Sequence, residues 1–212
     1  MMRFQSAVVL VLLAGGLWAQ DKPSCSSRLP RQPKASLPDP GAINAGVYRN
    51  AAFGFSYKLP YGWVDRTGEM QDDSPNATNA AKSLLLLAIF ERPPEATGET
   101  VNSAVVIAAE SLSSYSGMKT ATDYFGPLTE LATAKGFQPV EEPHPFPIGA
   151  TQLVRGDFSK SRGALTLRQT SLVILERGYE VSFTFIGGSE DEVNELIEKL
   201  SFAAKKSSHS SP

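Results

Sequence analysis

The chain is poor in the side chains that carry covalent chemistry. Of its 212 residues, one is cysteine and two are histidine. A single cysteine, Cys25, excludes an internal disulfide framework. His209 sits in a Lys/Ser tail, which leaves His144 as the one imidazole inside a structured stretch. A Ser-His-Asp triad would have to use it, yet no Gly-x-Ser-x-Gly turn is present to raise a serine nucleophile. Cys25 lies on a proline-rich arm, so a cysteine nucleophile is excluded too. Basic charge is also scarce: 20 Lys and Arg stand against 22 Asp and Glu. Nucleic acid is excluded as a partner, because phosphate binding needs a basic stripe that this composition lacks.

No apolar run is long enough to span a bilayer, which takes roughly 20 residues. The longest candidate near the start, Ala7–Leu17, follows Arg3 and ends at Leu17-Trp18-Ala19. A positive end, a short apolar run and a small residue, in that order, predict a secretory signal cut between Ala19 and Gln20. Position 17 is Leu where a small residue is usual, and a retained anchor is the competing reading. Cleavage removes one charge, Arg3, so 19 basic residues then face 22 acidic ones. Asp21-Lys22-Pro23-Ser24 separates Cys25 from the apolar run, which argues against a lipid on that thiol. The expectation is an exported protein, periplasmic or secreted, with no stable membrane insertion after cleavage.

The expected organisation is a signal over 1–19, a proline-rich disordered linker over 20–45, a folded domain over 46–204 and a disordered tail over 205–212. The linker holds Pro23, Pro30, Pro33, Pro38 and Pro40 with almost nothing apolar, too little burial to offset its ordering entropy. Inside the domain, Val47–Asn50 and Phe53–Lys58 predict a hairpin, with Phe53, Phe55 and Tyr57 alternating against Gly54, Ser56 and Lys58. Polar Thr67–Asn79 predicts a loop, whose Asn76-Ala77-Thr78 fits a glycosylation acceptor. The continuous apolar runs Ser83–Phe90 and Val101–Ala109 predict strands covered on both faces, with a buried helix as the alternative for Leu84–Phe90. Thr120–Lys135 predicts a helix capped by Gly136, with Pro127 either starting or kinking it. Glu141–Pro147 predicts a stiff extended loop. Gln152–Phe158, a turn at Ser159–Arg162, then Ala164–Glu176, Arg177-Gly178 and Tyr179–Ile186 predict consecutive antiparallel strands. Ser189 with Glu192 predicts a capping box before Val193, Leu196, Ile197 and Leu200 on one helix face. The sum is an α+β domain: an antiparallel sheet of about six or seven strands flanked by helices.

Val47-Tyr48-Arg49-Asn50, Phe53-Gly54-Phe55-Ser56-Tyr57 and Leu59-Pro60-Tyr61-Gly62-Trp63 resemble the opening of PsbP-like proteins, in which an aromatic strand runs into a Pro-x-Gly-Trp turn. Gly178-Tyr179-Glu180-Val181 through Ser201-Phe202 is similar to their closing hairpin and helix. The resemblance covers about 47–202 and implies a PsbP-like α/β/α sandwich. That family includes the extrinsic photosystem II subunit and a eukaryotic Ran-binding relative. The resemblance therefore implies a docking role without catalysis, and it gives Pro60, Gly62 and Trp63 a fold role.

The remaining polar groups are weak as sites. Glu141, Glu142 and His144 offer oxygen and imidazole donors, but one histidine among prolines falls short of a rigid ligand set. Asp72-Asp73 lacks the spacing of a calcium loop. Glu190, Asp191, Glu192, Glu195 and Glu198 fit a helix cap and solvated face. Gly187-Gly188-Ser189 lacks the lysine and spacing of a phosphate cradle. No catalytic residue, cofactor or metal ligand is assigned. The expected function is an exported, non-catalytic docking module of the cell envelope with a protein partner. An enzyme or small-molecule carrier, with a site assembled only in three dimensions, is the alternative.

Overall fold

The structure, a computed structural model, describes residues 38–72, 83–93, 98, 100–115 and 117–203. The expected signal cleavage at Ala19 and Gln20, Cys25, Asp73, the Asn76 acceptor and His209 lie outside them. Among the described residues, two antiparallel sheets and three α-helices form the domain, an α+β architecture as the strand pattern predicts. The smaller sheet takes β1 (Ala42–Asn44), β2 (Val47–Asn50), β3 (Phe55–Lys58) and the closing strand β12 (Leu200–Phe202), in the order β1-β2-β3-β12. The strand β1 places ordered structure ahead of residue 46. It is held by Tyr48, whose hydroxyl donates to the Pro40 carbonyl at 2.5 Å, and by Asn50, whose amide donates to the Asp39 carbonyl at 3.1 Å.

The larger sheet has eight strands: β4 (Val64–Asp65), β5 (Ser83–Phe90), β6 (Ala104–Ser111), β7 (Gln138–Pro139), β8 (His144–Ile148), β9 (Thr151–Arg162), β10 (Leu165–Glu176) and β11 (Tyr179–Gly187). Their order is β4-β5-β6-β11-β10-β9-β7, with β8 also paired to β9. The apolar runs over 83–109 and 152–186 thus lie in one pleated layer. Helix α3 (Glu190–Ile197) packs on it through Val193, Leu196 and Ile197, all buried. The small sheet covers the rest of that face. Phe55 meets Phe183 edge-on at 4.9 Å, Tyr57 lies 6.2 Å from Phe185, and the Tyr57 hydroxyl donates to the Leu196 carbonyl at 3.1 Å. Helix α2 (Phe125–Ala134) covers the opposite face, where Tyr124, Phe125, Ala132 and Phe137 pack on Phe158 and Val173.

Four local expectations are corrected. Thr67–Asp72 is a helix, α1, rather than loop: the Asp65 carboxylate accepts from the Thr67 amide at 2.9 Å and supplies an acceptor that composition does not reveal. The chain over 144–148 is the paired strand β8 rather than a loop. Pro145 and Pro147 are its exposed positions, and an edge strand accepts proline where the missing N–H points away from its partner. Ser159–Arg162 continues β9, and the chain turns instead at Gly163, whose φ of +62° suits glycine. Strand count is the fourth: the pattern gave one sheet, whereas the short strands close into a second layer. Pro127 falls inside the first turn of α2, where an N–H has no helical acceptor anyway.

Candidate functional site

Beyond Leu153, the α3-facing side of β9 turns polar, placing Arg155 and Asp157 at the border of the helix. Arg155 Nε donates to Asp157 Oδ2 at 2.8 Å, Nη2 to Oδ1 at 3.0 Å, and Nη1 to Asn194 Oδ1 of α3 at 3.1 Å. Thr170 Oγ1 on β10 donates to Asp157 Oδ1 at 2.5 Å. The guanidinium also stacks 5.2 Å from the Phe146 ring centroid. The side chains of Arg155 and Asp157 are only 11% and 16% exposed, so this bidentate pair is far better shielded than a surface ion pair.

The β8–β9 register sets His144 opposite Arg155. His144 Nδ1 lies 3.6 Å from Glu141 Oε1 and 3.4 Å from the Glu142 carbonyl, with its side chain 40% exposed. Ligand-type atoms of Glu141, His144 and Asp157 fall within 4.8 Å of one another. Sequence reasoning named the first two and missed Asp157, which only the strand pairing brings in. The donor set does not suit a cation, because Arg155 and Thr170 already occupy both Asp157 oxygens, and a metal would sit beside the guanidinium. An adjoining hollow of about 70 Å³, bordered by Val140, Glu141, Arg155, Asp157 and Thr170 among others, holds room for a couple of waters at about 30 Å³ each.

A larger feature opens at the end of the sheet where three segments converge. Glu91, Thr100 and Val101, the β9–β10 hairpin at Leu165 and Thr166, and the α3 start at Ser189 and Glu192 border an open trough of about 570 Å³. At its wall the expected capping box is half made. Ser189 Oγ accepts from the Glu192 amide at 3.1 Å, but the Glu192 carboxylate turns to the Gly188 amide at 2.7 Å and the Ser103 hydroxyl. That carboxylate fills the α3 start, so the Gly187-Gly188-Ser189 turn presents no phosphate cradle. Along α3, Asp191, Glu195 and Glu198 are exposed, and no ion pair reaches them among the described residues. No described helix is long and apolar enough to cross a membrane.

No family model and no curated protein matches the chain. Several solved structures are similar to it. The solution structure of cyanobacterial PsbP from Synechocystis sp. PCC 6803 aligns at 14% identity and TM-score 0.49, over 77% of this chain and 96% of that one. The Ran-binding protein Mog1p of Saccharomyces cerevisiae aligns at 10% and 0.45, over 76% and 96%. LpqN, involved in cell envelope biogenesis of Mycobacterium tuberculosis, aligns at 14% and 0.38, over 78% and 87%.

Proposed function

We propose that the chain is an exported, non-catalytic docking module of the cell envelope, and that it receives a basic segment of a protein partner in the trough beside α3. One observation carries this reading: the open trough is bordered by Glu91 and Glu192 at the start of α3, a helix whose Asp191, Glu195 and Glu198 are exposed. Two acids border the trough, and the one guanidinium among the described residues that reaches its wall, Arg92, is held by Thr100 and the Val101 carbonyl; the acids favour encounter with Lys- or Arg-bearing surfaces. The best-formed polar constellation, by contrast, is spent internally, with Arg155 closing on Asp157 and Asn194. A hollow of about 70 Å³ beside it is too small for a substrate. Export follows from the 1–19 segment read as a signal, with the proline-rich stretch ahead of Asp39 as spacer.

Two measurements test this. Mass spectrometry of the envelope fraction should find a mature chain beginning at Gln20; an intact 1–19 segment would point to an anchored protein instead. A partner should co-purify with the wild type, leave in high salt, and be lost with Glu91→Lys plus Thr166→Lys, both exposed positions. Retention of that partner by the double variant would place docking elsewhere.

A further inference from the structure

Strand β11 sends Tyr179, Val181, Phe183 and Phe185 toward the small sheet and Glu180, Ser182 and Thr184 to the other face. That second face is not open to water. Glu180 is 0% exposed, and its carboxyl oxygens make no well-formed hydrogen bond, with only the Ser182 and Tyr124 hydroxyls close by. Directly across the register, on β6, stands Glu110, half-buried and accepting a hydrogen bond from the Tyr115 hydroxyl. The Tyr115 ring meets Tyr124 edge-on at 5.8 Å. Tyr115 closes the 3-10 turn Leu112–Ser114 that follows β6, and Tyr124 ends the 3-10 turn Ala121–Tyr124, capped by Thr120 and Asp123, that enters α2.

Among the described residues, the groups facing Glu180 are Glu110 from β6, Ser182 from its own strand, Leu175 from β10, and Tyr115 and Tyr124 from the two 3-10 turns. None of them is basic. Two carboxylates at adjacent strand positions, one of them sealed from water and neither facing a cation among the described residues, do not both ionise cheaply. Burial first, and the Glu110 charge second, hold Glu180 well above the usual carboxylate range. Burial and the same acids push Tyr115 and Tyr124 upward as well, so neither phenol gives up its proton in place of Glu180.

We propose that Glu180 is a proton-operated latch: as a neutral acid beside Glu110 it lets the two 3-10 turns that carry Tyr115 and Tyr124 close on the sheet, and loss of its proton to solvent lifts them. Ionisation puts a second negative charge beneath Tyr115 and Tyr124, and hydrating it requires water to enter where the two rings now lie. The device is separate from the trough and acts whatever partner docks there.

The sign follows from linkage. The folded chain binds the Glu180 proton more tightly than the unfolded chain. Closure is therefore fully favourable below the ordinary carboxylate value of about 4.3 and weakens as pH rises toward the folded value, about tenfold per pH unit. Hydrogen exchange on the full chain, corrected for intrinsic rates and run from about pH 5 to about pH 9, reads this directly. Protection over the two turns should fall with pH in the wild type and stay level in Glu180→Gln. Removing the neighbouring charge with Glu110→Gln lowers the folded value of Glu180, so the fall should be smaller and level off at lower pH, which keeps the test decisive should Glu180→Gln not fold. Coincident wild-type and Glu180→Gln profiles would overturn the latch. Protection restored by calcium, magnesium or zinc in a Glu180-dependent way would overturn it too, by showing a cation seat.

Discussion

Phe125 stands over Gly156. A Cβ placed on that glycine would come within 2.3 Å of the ring at Cε1, so β9 and α2 pack at a distance only glycine permits. Gly156→Ala should destabilise the domain by about 1–3 kcal/mol, the usual cost of overpacking a filled interior. Urea unfolding followed by far-ultraviolet circular dichroism measures it. Adding Phe125→Leu should recover part of the loss, since the smaller side chain makes room; a neutral Gly156→Ala would show that α2 does not sit on β9 as described.

The α3 stripe supplies a second prediction. Leu196 is buried beneath the Tyr57 hydroxyl, which bonds to its carbonyl. Leu196→Ala leaves a cavity between the two sheets and should cost about 2–5 kcal/mol. Exposed Glu195→Ala on the same helix should change stability by less than about 0.5 kcal/mol. Equal effects at the two positions would place the helix differently.

How much of this was legible beforehand depended on how local the cause was. Ser189, Val193, Leu196 and Ile197 carry their helix within nine consecutive residues, and Arg177-Gly178, with φ of +51° and +82°, carry their turn. Helix α1 hid because it is only six residues long, opens on Thr67-Gly68, and takes its first-turn acceptor from Asp65, two residues upstream. Strand β8 hid because Pro145 and Pro147 normally deny a strand, and only an edge position next to β9 permits them. Asp157 joined His144 through a pairing that spans separate strands. Glu180 was misleading in a different way: alternation marks Glu180, Ser182 and Thr184 as a polar face, and the covering by the turns that carry Tyr115 and Tyr124 is a tertiary fact.

Arg155 gives a third prediction. Arg155→Ala strips the shielded Asp157 of its counter-charge and should cost about 3 kcal/mol. Arg155→Lys should restore only part of it, because an ammonium cannot hold both carboxylate oxygens as the guanidinium fork does. A double-mutant cycle with Asp157→Asn should show strong coupling, and additive losses would mean the pair contributes nothing jointly.

Alkali should unfold the domain early. Burial pushes the Tyr48 phenol up to about 12 and raises Tyr57 as well. An acid whose folded value is raised contributes stability that is complete below its unfolded value of about 10 and is lost as pH climbs past it. Melting temperature should therefore drop steeply above about pH 10. Tyr48→Phe should flatten that drop while costing about 1 kcal/mol at neutral pH for the bond to Pro40. A slope unchanged in Tyr48→Phe would remove Tyr48 from the alkaline transition.

The docking proposal meets its most direct test in site-specific photo-crosslinking inside the envelope. A crosslinker at Thr166, on the trough wall, should capture one defined protein through a Lys- or Arg-rich segment, and a crosslinker at exposed Thr122, on the opposite face, should capture none. The same adducts at both positions, or none at Thr166, would contradict a partner seated beside α3.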